Sequence, residues 1–157
     1  MNGLFQIFRG WSRFLRALGH FKHPDLQAEA LEYSLKGPLK SNEVLTISNI
    51  QSRKEEIRNR LFDWLMENYE TIAKRIPPDY IPELSRNAGG CSTERLDKAT
   101  KFFSDPAHQV PGTEDNLVKL TEQVRECQAL RDREGKAAAM FLQRFAEGGS
   151  GSGSSAP

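Results

Sequence analysis

Apolar residues recur every three or four positions along most of this chain, and nowhere do they alternate over the length of a strand. That spacing is the signature of amphipathic helices, and no Asn-Gly or Asp-Gly hairpin turn interrupts it. The 157 residues are 38% hydrophobic and 27% charged, a balance that fits a globular domain and neither a membrane bundle nor a disordered chain. The expected fold class is therefore all-α.

Proline and glycine divide the pattern into segments. Leu4, Ile7, Phe8, Trp11, Phe14, Leu15 and Leu18 share one face of a first helix that should end near Gly19. Leu26, Ala30, Leu31 and Leu35 form the next face, stopped by Gly37-Pro38. Ser41 or Asn42 can cap a short helix carrying Val44, Leu45, Ile47 and Ile50. A long helix is expected over 54–75, with Ile57, Leu61, Trp64, Leu65, Tyr69 and Ile72 facing inward and Phe62 and Met66 widening the stripe. Pro77-Pro78 breaks it, and a further helix over 79–86 is interrupted by Pro82. Ser92 or Thr93 caps a helix through Leu96, Ala99, Phe102 and Phe103, and Pro106 to Gly112 is a loop. Thr113 caps a helix with the stripe Leu117, Leu120, Val124, Cys127 and Leu130. A final helix over 133–146 should turn Ala137, Met140, Phe141 and Phe145 inward. Short helices with short breaks make antiparallel neighbours, so the expected architecture is helical hairpins stacked as an α-solenoid fragment. Residues 1–147 read as one helical-repeat domain. The tail 148–157, made of Gly, Ser, Ala and Pro, reads as a flexible linker.

The net charge of +1 argues against a general nucleic-acid binder. It is unevenly spread, because residues 1–23 carry Arg9, Arg13, Arg16 and Lys22 with no acid. Helix 3–18 is thus basic and amphipathic. It reads first as a packing helix and second as a membrane-surface helix. No run is long enough to span a bilayer and no secretory leader is evident, so a soluble, cytoplasmic chain is the expectation.

Candidate chemistry is sparse. His20 and His23 are three apart, but Pro24 follows and no Glu lies beside them, so they read as an inter-helix loop and not as zinc ligands. His108 reads as an exposed loop residue. Cys127, on an apolar stripe, reads as a packing residue; Cys91 precedes a helix N-terminus, which can lower a thiol's pKa. Spacing alone does not decide whether the two are joined. Glu55-Glu56 and Glu114-Asp115 sit in first turns, where the helix dipole accounts for them. No catalytic, cofactor-binding or metal-ligating constellation emerges, and a small enzyme in its own right is the weakest reading.

Several phrases carry a resemblance. Leu15-Arg16-Ala17-Leu18-Gly19, His23-Pro24-Asp25-Leu26 and Ala30-Leu31-Glu32-Tyr33-Ser34-Leu35 occur in order. Phe62-Asp63-Trp64-Leu65-Met66-Glu67-Asn68-Tyr69 follows, then Cys91-Ser92 and Lys101-Phe102-Phe103, then the helix Leu117 to Leu130. Across residues 15–145 the chain resembles the C-terminal helical domain of zinc aminopeptidases of the puromycin-sensitive, alanyl and endoplasmic-reticulum group. Gly90, where the family often has an aromatic residue, and the short loop at 51–54 depart from it. Residues 1–14 do not match, which makes Met1 look like a truncated or alternative start. The resemblance implies a HEAT-like bowl that encloses the peptide and moves between open and closed positions. It also implies a separate catalytic domain as partner, where zinc is held by a His-Glu-x-x-His helix that this chain lacks. A standalone helical-repeat interaction module, held at a membrane surface by helix 3–18, is the alternative. A truncated solenoid would also expose an apolar end and self-associate through it.

Overall fold

The computed structural model describes residues 3–148, with side chains over 10–146. The side chains of Leu4, Ile7 and Phe8, and the tail from 149 onward, lie outside what is described. The described residues form helices and turns: α1 Gly3–Gly19, α2 Pro24–Lys36, α3 Thr46–Gln51, α4 Glu55–Glu67, α5 Tyr69–Ala73, α6 Thr93–Phe103 and α7 Thr113–Gly148. Two 3₁₀ turns, Pro78–Tyr80 and Pro82–Ala88, stand between α5 and α6. The all-α expectation holds. Packing joins elements near in sequence: α1 lies on α3 and α2, α4 on α3 and α6, and α7 on α6 and the Pro82–Ala88 turn.

One continuous core runs through these contacts. Leu15, Leu31, Val44, Ile47, Leu61, Phe62, Leu65, Ile72, Leu84, Phe103, Leu120 and Val124 are buried in it. Each such side chain contributes about 1.5–3 kcal/mol when taken from water. Gly19 sets the approach of α1 to α3, because a Cβ there would lie 2.7 Å from the Cβ of Ile50. Arg75 closes the end of α2. Its guanidinium donates to the carbonyls of Ser34, Leu35, Gly37 and Leu39, groups that a helix C-terminus leaves without intrahelical partners.

Several expected boundaries move. The helix over 54–75 breaks at Asn68, which takes φ −108° and donates its side-chain amide to Trp64 O at 2.9 Å, competing with the backbone ladder. The segment over 79–86 is two 3₁₀ turns because Pro82 brings no N–H to a continuing helix. The short third helix starts only at Thr46, since Glu43 folds back to accept from Lys40 N and holds residues 41–45 as turns. Leu26 is exposed, and Gln27 takes its place on the buried face of α2. Gln27 is satisfied there, donating to Phe21 O at 2.9 Å and accepting from Arg60, while Gln51 donates to its carbonyl at 3.2 Å. Ser92 caps α6 as expected, accepting from Arg95 N at 3.2 Å. Thr113 is buried, and its hydroxyl accepts from Val110 N, drawing in the loop before α7.

The largest difference lies at the C-terminal end. The two helices expected over 113–130 and 133–146 are one 36-residue helix. No proline interrupts Arg131 to Lys136, and the lone Gly135 costs a helix only about 1 kcal/mol. Leu130, Met140, Phe141 and Phe145 therefore stay exposed and do not fold back onto the core.

Gly19→Ala should destabilise the fold by about 1–3 kcal/mol through overpacking against Ile50, despite alanine's better helix propensity. Urea denaturation checks this; a more stable Gly19→Ala protein would show that α1 does not approach α3 as closely as described.

Candidate functional site

Among the described residues the one fully buried charged side chain, Arg95, meets the half-buried Arg58 at one turn. The Pro82–Ala88 turn ends at Ala88, and Gly89, Gly90 and Cys91 lead into α6. Gly90 has φ +104°, a left-handed conformation that glycine adopts without a Cβ penalty. A Cβ at Gly90 would also run into the guanidinium of Arg58 and approach that of Arg95 at 2.9 Å. The departure at Gly90 thus has a local cause: two arginines crowd the space where a side chain would go.

Arg95 comes from the first turn of α6 and is 97% buried, with 3% of its surface exposed. Its Nε donates to Ala88 O at 3.1 Å, Nη2 donates to Gly89 O at 2.8 Å and to Glu55 at 3.1 Å, and Nη1 donates to Asn59. Arg58 adds a bond to Gly89 O at 3.0 Å and one to Ser52 O at 2.8 Å, and pairs with Glu55 at 2.6 Å. The positive charges meet the carbonyl end of the 3₁₀ turn, where the backbone dipole is negative. Every donor named here is used internally, so the cluster is a clamp joining α4, α6 and the turn.

Cys91 leaves this turn and is joined to Cys127 of α7 by a disulfide with a Cα–Cα separation of 5.1 Å. Cys127 therefore does more than pack, and Cys91 is no free nucleophile. Gln128 beside it donates to Cys91 O.

Two grooves flank the outer side of α4. One, of about 410 Å³, lies between α4, α6 and the following loop, with Met66, Phe102 and His108 as its apolar floor. Lys98 at its rim bridges Asp63 at 3.3 Å and Glu94 at 3.7 Å. His108, expected to be exposed, is half-buried: its ring stacks on Phe102 at 3.9 Å and 10°, and its Nδ1–H donates to Phe102 O at 2.9 Å. Tyr69 stands edge-on to both rings and donates its hydroxyl to His108 O at 3.2 Å. Burial first, and the neighbouring Glu70 second, push the Tyr69 phenol above its ordinary value. A second groove of about 390 Å³ runs from Asp63 and Trp64 toward Leu31 of α2. Both fall at the small end of the range of ligand clefts. Neither is lined by a cysteine, serine or threonine that could act as a nucleophile.

The sequence-level candidates are not brought together. His23 is exposed beside Asp25 at 3.6 Å, and His108 sits across the fold in the aromatic cluster. Among the described residues no group of three or more His, Cys, Asp or Glu side chains could hold a metal ion, so the residues present do not fit zinc. Arg95, Arg58 and Arg75 were not singled out from the sequence. Arg95 has a detectable mark, because it shares the face of Ala99 and Phe103 at four-residue spacing, a charge in line with core residues.

A family model described as ERAP1-like C-terminal domain matches residues 9–126. Among curated proteins, "Aminopeptidase 2, mitochondrial" of Saccharomyces cerevisiae is 27% identical over 96 residues, which is 57% of this chain and 10% of that protein. "Alanine/arginine aminopeptidase" of the same yeast is 27% identical over 139 residues, 82% of this chain and 15% of that protein. The chain thus spans only a small part of the length of the relatives it matches.

Cys91→Ser with Cys127→Ser should lower stability by about 4 kcal/mol, the chain-entropy cost of freeing a loop of this length. Denaturant titration of oxidised and double-variant protein checks it. Equal stabilities, or two titratable thiols in protein isolated without reductant, would contradict the pairing.

Proposed function

Since this chain belongs to the ERAP1-like C-terminal domain family, we propose that it works as the noncatalytic C-terminal part of a zinc aminopeptidase, with the bond-cutting residues in another domain. In this reading residues 1–147 act as one helical-repeat domain and 148–157 as a linker. Its partners are the catalytic domain and the peptide substrate, and zinc stays with the catalytic domain. The family match over the packed core carries the proposal.

The interior chemistry supports this reading. Arg58, Arg75 and Arg95 spend their donors on backbone carbonyls within the fold. Such a domain contributes shape: it walls in a peptide, with the grooves beside α4 offering places for side chains. Stiff helical layers joined at the Gly89–Cys91 turn suit a part that moves as a unit during opening and closing of the parent enzyme. No helix among the described residues is long and apolar enough to cross a membrane. A disulfide persists in an oxidising compartment, which favours such a site of action over the reducing cytoplasm.

The membrane-surface alternative places helix 3–18 on lipid. Leu15 of that helix is instead buried and Gly19 abuts Ile50, so part of its apolar stripe is already used for packing.

The test pairs two measurements. The purified chain supplied with zinc should release no amino acid from aminoacyl-coumarin substrates. A parent aminopeptidase whose matching C-terminal segment is replaced by this chain should keep activity on long peptides, whereas deletion of the segment should abolish it. Zinc-dependent hydrolysis by the isolated chain, or full activity of the deletion, would overturn the proposal.

A further inference from the structure

The solvent side of α1 carries positive charge with nothing to balance it. Helical spacing sets Arg13, Arg16 and His20 within about 60° of one another around the axis. All three are exposed. In the sequence Arg9 precedes them at the same three-to-four spacing, and residues 1–24 contain no acid. Lys54 adds a charge where this face ends, its Nζ donating to the carbonyls of His20 at 3.2 Å and Phe21 at 3.1 Å. Several surface cations of other elements have an acid in reach: Lys36 pairs with Glu32, Lys74 with Glu70, Arg86 with Glu83 and Lys98 with Asp63. Among the described residues Arg13 and Arg16 have no such partner. The first acid after the helix, Asp25, faces His23 at 3.6 Å.

We infer that this face is a docking strip for a sulfated polysaccharide. Charge and shape both fit. The helix sets Arg13 and Arg16 about 5 Å apart along its axis, a repeat of charge that suits a linear polyanion. Guanidiniums hold the oxygens of tetrahedral oxyanions through paired donors. Such docking needs none of the parent enzyme's chemistry.

Two other polyanions fit less well. A lipid surface needs the apolar side of the helix, and that side is already used. Leu15 is buried, and Trp11 and Leu18 pack on the core. Phe14 rests on Trp11 at 5.6 Å and stands edge-on to Tyr33 at 6.4 Å. A nucleic-acid duplex is wider than one helix and would lie over surface beyond the strip, in a chain whose remaining residues hold more acids than bases. The Cys91–Cys127 disulfide favours an oxidising compartment, and the linear polyanions found there are sulfated polysaccharides.

Calorimetric titration of the 157-residue chain with heparin at about 100 mM salt tests this. The expected result is saturable binding that weakens steeply as salt rises. Arg13→Gln with Arg16→Gln should lose about tenfold or more in affinity and show a shallower salt dependence. Lys119→Gln with Arg125→Gln removes the same charge from α7 and should stay within about twofold of wild type. All four side chains are exposed, so circular dichroism and the denaturation midpoint should stay unchanged in both variants. No binding of heparin by the wild-type chain would overturn the inference. So would equal losses in the two double variants, because binding would then follow net charge and not this face. Tighter binding to a duplex oligonucleotide or to phosphatidylserine vesicles, lost in the Arg13 and Arg16 variant, would assign the face to nucleic acid or lipid and equally overturn it.

Discussion

Arg95 is the interaction on which the C-terminal half of this fold depends. A guanidinium at 3% exposure is costly unless its charge and its donors are met. Here they are met by the carbonyls of Ala88 and Gly89, by Glu55 and by Asn59. These partners come from α4 and from the end of the second 3₁₀ segment with the glycine that follows it. The bond set therefore exists only when α4, α6 and the turn are in place together. Gly90 makes room for it, and the disulfide one residue further on ties α7 to the same point.

The N-terminal half is held by different means. Gly19 lets α1 sit close on α3, Gln27 and Gln51 satisfy one another's neighbourhood between α2, α3 and α4, and Arg75 caps α2 from α5's end. Long-range polar anchors on backbone carbonyls recur in both halves. They fix how one helical layer sits on the next, which apolar area alone does not specify. In the proposed role as a wall around a substrate, that fixed geometry would matter more than reactive groups.

Much of this was legible in the residues. The three-to-four spacing located α1, α2, α4, α6 and the start of α7, and Pro77-Pro78, Pro82 and Gly37-Pro38 marked true breaks. The ordered phrases from Leu15 to Leu130 pointed to the family that the residue 9–126 match establishes. What failed to show depends on tertiary partners. Asn68 breaks a helix by bonding Trp64, yet many asparagines sit mid-helix without doing so. Phe141 and Phe145 have the spacing of a core face, and periodicity does not say whether a core lies opposite. His108 became part of an aromatic cluster because Tyr69 and Phe102 converge on its loop from different helices. The Cys91–Cys127 pair needed a distance, and 36 residues of separation supply none.

The claim that one clamp organises the C-terminal half is open to native-state hydrogen exchange. Arg95→Met keeps the side chain's bulk and removes its donors. If the clamp organises this half, amides of α4, α6 and the first part of α7 lose protection together in the variant, while those of α2 and α3 keep theirs. Loss confined to the few amides around Gly89 and Gly90 would contradict the account and leave Arg95 as a local contact only.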